Sequence, residues 1–112
     1  MRKGRAERVV LVTCASLREA RRIARSVVDD RLAACVNILG TPVESVYRWK
    51  GKVETAREFL LLIKTTRSHL RALEKQIKKL HSYAVPEFLA LPVAEGSRAY
   101  LAWLSKCVSR AR

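Results

Sequence analysis

Val9-Val10-Leu11-Val12-Thr13-Cys14, then Ser16-Leu17-Arg18-Glu19, then Ala33-Ala34-Cys35-Val36-Asn37-Ile38-Leu39 are the stretches that decide the fold. The first is a short, continuous apolar and β-branched run, the pattern of a strand buried on both faces. Ser16 with Glu19 three residues later reads as a capping box, in which hydroxyl and carboxylate each satisfy a backbone N–H left over at a helix start. Ala20, Ile23, Ala24, Val27 and Val28 then form one apolar stripe, while Arg18, Arg21, Arg22 and Arg25 face largely away from it. The spacing predicts an amphipathic helix of about four turns ending near Arg31. The third run returns to strand character, and a right-handed crossover is the default geometry for such a strand–helix–strand unit.

Downstream, Gly40-Thr41-Pro42 interrupts the apolar pattern, and the partly alternating stretch from Val43 to Trp49 leads through Lys50-Gly51 into Val53 and the apolar Phe59-Leu60-Leu61-Leu62-Ile63, which predicts a hairpin. Thr65-Thr66-Arg67-Ser68 offers helix caps, and Leu70, Leu73, Ile77 and Leu80 share one helical face, so a second helix is expected over 68–81. Val85 to Val93 is again β-like, with Pro86 and Pro92 restricting it to positions where a missing N–H is harmless. Gly96-Ser97 opens a third helix carrying Tyr100, Leu101, Leu104 and Val108.

Two such units joined by a hairpin give an α+β, ferredoxin-like βαββαβ sandwich with an extended β-hairpin and an extra C-terminal helix. The expected sheet has four antiparallel strands, with both main helices on one face. Residues 8–108 are read as one domain, with 1–7 a basic, solvated N-terminal tail and 109–112 a basic C-terminal tail. The other sheet face is left bare, so the third helix or another copy of the chain must cover it.

Composition narrows the function. With 112 residues and 49% hydrophobic content, the chain is neither disordered nor dependent on a metal or disulfide staple. Three cysteines without CxxC spacing write no disulfide framework or structural zinc site, and suit a reducing, cytoplasmic setting. No apolar run approaches the roughly 20 residues of a membrane span. The net charge of +13 is the electrostatic footprint of nucleic-acid binding, yet the basic residues are spread along the chain without a reader motif, which fits solvated helix faces and makes nucleic acid an unlikely partner. No phosphate loop, GxGxxG, HExxH or GxSxG is present, so no enzyme class follows.

The polar cluster His81-Ser82-Tyr83-Ala84-Val85-Pro86-Glu87 falls at a helix-to-strand turn, where imidazole and carboxylate suit a divalent cation; a histidine at a helix end also reads as a partner of the last carbonyls. Cys35 lies inside an apolar strand, as a small hydrophobe or a metal ligand. Cys14, just before a helix N-terminus, is the better placed of the two for a lowered thiol pKa. Tyr47 and Trp49, interleaved with Arg48, Lys50 and Lys52, read as base-stacking groups or, more simply, as interface anchors. Glu58 and Lys64 are candidates for lining a pocket.

Together, Arg31-Leu32-Ala33-Ala34-Cys35-Val36-Asn37-Ile38, Ser45-Val46-Tyr47-Arg48-Trp49-Lys50-Gly51-Lys52, Lys64-Thr65-Thr66, the His81–Glu87 turn, and Gly96 with Tyr100-Leu101-Ala102-Trp103-Leu104 strongly resemble the CutA divalent-cation tolerance proteins over about Arg8 to Val108. The resemblance implies a ferredoxin-like subunit in a tight homotrimer, kinship to the trimeric PII signalling proteins, and a non-enzymatic role in tolerance to copper and other divalent cations. It further implies weak cation binding at clefts between subunits, with Cys35, His81 and Glu87 as metal ligands. Tyr83, Lys64, Glu58 and Arg48 would line the pocket, and Tyr47 and Trp49 would sit in the trimer interface. The alternative is a PII-like module that binds a small anion or a protein partner through Lys64 and Arg48. The chain departs from the family's usual turn in having Ser82 for Pro and Ala84 for Glu, and Leu80 and Val12 stand where some members carry a second His and a Cys.

Overall fold

A computed structural model describes residues 1–109. In chain order its elements are Arg2–Lys3 (β1), Glu7–Cys14 (β2), Leu17–Asp29 (α1), Cys35–Ile38 (β3), Val43–Trp49 (β4), Lys52–Thr66 (β5), Leu70–Leu80 (α2), Leu89–Pro92 (β6), Glu95–Gly96 (β7) and Arg98–Val108 (α3). The main sheet runs β3-β5-β2-β6 with every neighbour antiparallel, and β4 pairs with the first half of β5. This is the expected ferredoxin-like arrangement.

Strand β5 is three times the length its apolar segment announces. Its second half pairs with β2 from Glu7↔Thr66 to Cys14↔Phe59, while its first half pairs with β4 from Trp49↔Lys52 to Val43↔Glu58. The polar first half is held by hydrogen bonds to one partner strand, so hydropathy does not reveal it. Lys50 (φ 50°) and Gly51 (φ 79°) close this hairpin with two consecutive left-handed residues, the geometry whose twist matches that of paired strands. The extended hairpin gives the molecule its dimensions of 46 × 28 × 24 Å.

The core lies between one sheet face and two helices. Val10, Val12, Cys14, Leu61 and Ile63 alternate towards α1 (Ala20, Ile23, Val27) and α2 (Leu73, Ile77), all fully buried. The other face is covered in part by α3, whose Leu101, Leu104 and Val108 are buried against β5 and β2. Leu89, Leu91, Tyr100 and Trp103 stay 44–54% exposed, so a wide apolar area remains on or beside that face.

Several local expectations need correction. Helix α2 starts at Leu70 after a 3₁₀ turn over Arg67–His69, because the Thr66 and Ser68 hydroxyls bond the His69 ring (2.7 and 3.2 Å) rather than capping an α-turn. Only Leu89–Pro92 of the stretch from Val85 to Val93 forms a strand; Pro86 lies in the connecting loop. The capping box is half formed: Ser16 Oγ accepts from the Glu19 N–H (3.1 Å), but the Glu19 carboxylate turns inward to the Ser82 N–H (3.0 Å).

Residues 1–7 do not form the solvated tail that their charge suggests. Arg2 and Lys3 pair with Gly96 and Glu95, and the Gly4 N–H donates to the Ala94 carbonyl (3.0 Å). A Cβ at Gly4 would collide with the Val93 carbonyl oxygen, so glycine is required by this close approach. Glu7, 2% exposed, accepts from the Arg5 N–H (3.1 Å), the Ser105 hydroxyl (2.9 Å) and Arg2 (3.3 Å). The basic C-terminal tail expected over 109–112 lies, from Arg110 onward, outside the described residues.

Burial alone would raise the Glu7 carboxyl, but its hydrogen bonds to the Arg5 N–H, Ser105 and Arg2 outweigh burial and hold it below its ordinary 4.5. Its contribution is therefore present above about pH 4.5 and is lost as pH falls through the lowered native value. We expect Glu7→Gln to cost about 1–3 kcal/mol in urea unfolding at pH 7, and the gap from wild type to narrow as the solution is acidified through that window.

Candidate functional site

A cleft of about 570 Å³ opens where three segments converge. The hairpin contributes Tyr47, Trp49 and Glu58, the end of β2 contributes Thr13, and the loop after α2 contributes Tyr83 and Glu87. Glu58 is 7% exposed, and the Tyr83 hydroxyl donates to its Oε2 at 2.8 Å. Burial, followed by this bond and the Glu58 charge, pushes the Tyr83 phenol well above the usual tyrosine range. The Glu87 carboxyl is likewise raised, first by burial and then by repulsion from Glu58. No lysine or arginine lines the cleft among the described residues, so a chain of net charge +13 presents an acidic hollow.

His81 sits behind the cleft wall as the residue that ends α2. Its Nε2 lies 2.7 Å from the Thr13 carbonyl, which only accepts, so the ring proton is assigned to Nε2. Nδ1 then accepts from the Tyr83 N–H at 3.1 Å, and the two rings meet at 4.8 Å between centroids, tilted by 50°. Glu19 Oε1 takes the Ser82 N–H, whereas Glu19 Oε2 has no hydrogen-bond partner and lies 3.7 Å from His81 Nδ1. Cys14 completes a buried group whose donor atoms all lie within 4.8 Å of one another.

Of the residues singled out from sequence, Glu58, Tyr83, Glu87, Tyr47 and Trp49 converge on the cleft, with His81 one side chain behind it. Three do not. Cys35 is paired with Lys64 on the α3 face of the sheet, beside the Tyr100 phenol. Lys64, and Cys35 paired with it, stand near the opposite end of β5 from Glu58, which separates both from the cleft along the strand. Arg48 points back towards the Gly51 carbonyl at the hairpin tip. The lowered thiol pKa expected for Cys14 is also overturned: burial, then the Glu19 and Glu58 charges, push it up to about 12.

Sequence reasoning missed Glu19 as a core carboxylate. The available signal was its position four residues before Ile23 and eight before Val27, on the apolar stripe of α1. Ser82 matters as well, because a proline there would have no N–H to offer Glu19.

The sequence profile of the family described as CutA1 divalent ion tolerance protein matches residues 8–107. The divalent-cation tolerance protein CutA of Thermus thermophilus is 52% identical over 98 residues, covering 88% of this chain and 94% of that protein. Rice protein CutA 1, chloroplastic, is 49% identical over 96 residues, and the match covers 86% of this chain and 54% of the plant protein. Among solved structures, CutA from Xylella fastidiosa superimposes with a TM-score of 0.90 at 39% identity, covering 94% of this chain and 100% of that one.

Tyr83→Phe should leave Glu58 buried and short of one hydrogen bond. The expected loss is about 1–3 kcal/mol by chemical denaturation, together with disappearance of the latest-ionising phenol from a native-state alkaline absorbance titration.

Proposed function

The chain belongs to the CutA1 divalent ion tolerance protein family, and we propose that it serves divalent-cation tolerance by holding copper or another divalent cation weakly in the acidic cleft, with the Glu58 and Glu87 carboxylates as ligands. The observation that carries this reading is the hollow itself: two neighbouring carboxylates and no cation along its wall, within a strongly basic chain. Bringing a dication between the two carboxylates relieves their repulsion, and two oxygen ligands completed by water make a weak, exchangeable site. The reading is of a binding protein, and no step of bond-making chemistry is assigned to it.

In this proposal the working form is a homotrimer. Exposure of Leu89, Leu91, Tyr100 and Trp103 supports burial of that area between copies, and the half-exposed Tyr47 and Trp49 rings are suited to anchoring a neighbour and closing the cleft. The PII-like alternative loses its support because Lys64 and Arg48, its anion ligands, both lie away from the cleft. Three free thiols fit a cytoplasmic location, while no helix among the described residues is long and apolar enough to cross a membrane.

Calorimetric titration with Cu²⁺ tests the site. The double variant Glu58→Gln, Glu87→Gln should bind at least tenfold more weakly than wild type, and unchanged binding removes the cleft from the account. Because the Glu87 carboxyl is raised above its ordinary 4.5, protons should begin to displace the cation at a higher pH than an unperturbed carboxylate would allow. Sedimentation equilibrium should give three times the chain mass for wild type, with Leu91→Asp, Trp103→Asp shifting the distribution to the monomer.

A further inference from the structure

Behind the cleft, two lone-pair acceptors face one another without a proton assigned between them. His81 Nε2 donates its proton to the Thr13 carbonyl (2.7 Å), which leaves Nδ1 as an acceptor, engaged only by the Tyr83 N–H (3.1 Å) and 3.7 Å from Glu19 Oε2. That carboxylate oxygen is buried and has no hydrogen-bond partner, although the other oxygen of the same group is satisfied by the Ser82 N–H at 3.0 Å. Glu19 as a whole is 8% exposed, and the His81 side chain is fully buried. An orphaned carboxylate oxygen in such a place calls for a positive partner, since a buried carboxylate oxygen without one has lost its water and gained nothing in exchange.

The third member supplies the chemistry. Cys14 Sγ lies within 4.8 Å of both acceptors, and the three side chains come from the end of β2, the first turn of α1 and the end of α2. We propose that Cys14, Glu19 and His81 form a buried metal site, separate from the Glu58–Glu87 cleft, that takes a zinc-class dication. The His81 contact to a backbone carbonyl through the opposite ring nitrogen is the arrangement that fixes the tautomer and aims a metal-binding imidazole. Tetrahedral bonds of about 2.0–2.2 Å from nitrogen and oxygen to zinc place those atoms about 3.4 Å apart, close to the 3.7 Å that separates them here.

Charge balance selects the ion. A thiolate and a carboxylate together neutralise a dication, whereas a monovalent soft ion would leave one negative charge buried. Binding releases one proton, from the Cys14 thiol to solvent, and the ion takes over the role of charge partner to the thiolate. The long 3.1 Å bond from the Tyr83 N–H to Nδ1 is given up in the process. Thr13 and Tyr83, which both touch His81, also line the cleft, so the site lies one side chain behind its wall. Its presence in this chain depends on Cys14 and on the Ser82 N–H that holds Glu19 inward.

The test uses the full chain freed of metal by a chelator, then titrated with Zn²⁺ and, for its spectrum, with Co²⁺. We expect one ion per chain, one proton released per ion, and a near-ultraviolet thiolate-to-cobalt band. Cys14→Ala should abolish the band and weaken Zn²⁺ binding beyond the roughly 10–100-fold that loss of an outer partner costs. Glu19→Gln keeps the shape and an acceptor for the Ser82 N–H, and should weaken binding while the apo protein melts cooperatively. Cys35→Ala, Cys107→Ala should retain the band, as should Glu58→Gln, Glu87→Gln, which separates this site from the cleft. If wild type takes up no stoichiometric Zn²⁺, or if Cys14→Ala keeps the band, the proposal is overturned and Glu19 is answered by a proton alone.

Discussion

A single hydrogen bond, from His81 Nε2 to the Thr13 carbonyl at 2.7 Å, joins two points 68 residues apart in the chain and anchors the loop that carries Tyr83 and Glu87 to the cleft. It fastens the end of α2 to the end of β2. The loop that follows is then launched in one direction, so that the Tyr83 hydroxyl reaches Glu58 on the hairpin strand and Glu87 falls beside it. Because the donor is an imidazole, the same bond fixes which ring nitrogen is free. It therefore decides the chemistry available on the buried side as well as the shape on the open side.

The distribution of charge gives the site its character. The chain carries far more positive than negative groups, but its helices direct them outward: Arg21, Arg22 and Arg25 gather on the free face of α1, and Lys78 and Lys79 lie in the last turn of α2. The buried charged groups are mainly acids, Glu7, Glu19 and Glu58 among them, with Glu87 exposed at the cleft. The Glu7 carboxyl is held below its ordinary range by its donors, while Glu87 is raised by partial desolvation and then by the Glu58 charge. Positive charge therefore covers much of the surface while the cleft keeps its acids, so the local field within it is opposite in sign to that of the chain as a whole.

How much of this was legible in the chain differs by element. The βαβ unit of residues 9–39 was readable because hydropathy alone reports burial on a strand or one helix face. The length of β5 was not, because its first half is polar and is held by backbone bonds to β4, which leave no mark on side-chain pattern. The N-terminal strand was hidden for a similar reason: two basic residues and a glycine pair with β7 through backbone groups, and the one revealing side chain, Glu7, reads as surface charge until Ser105 and Arg2 are seen around it.

For the candidate site, the sequence by itself determined the loop from His81 to Glu87, with its imidazole, phenol and carboxylate, because these lie within a few residues of one another at a helix end. Only the tertiary structure decided their company. It placed Glu58 opposite Tyr83, put Cys14 and Glu19 beside His81, and turned Cys35 to the far side of the sheet. The reason lies in strand geometry: a side chain's face is set by odd or even register against its neighbours, which depends on hydrogen bonds between distant segments rather than on the residue or its immediate sequence.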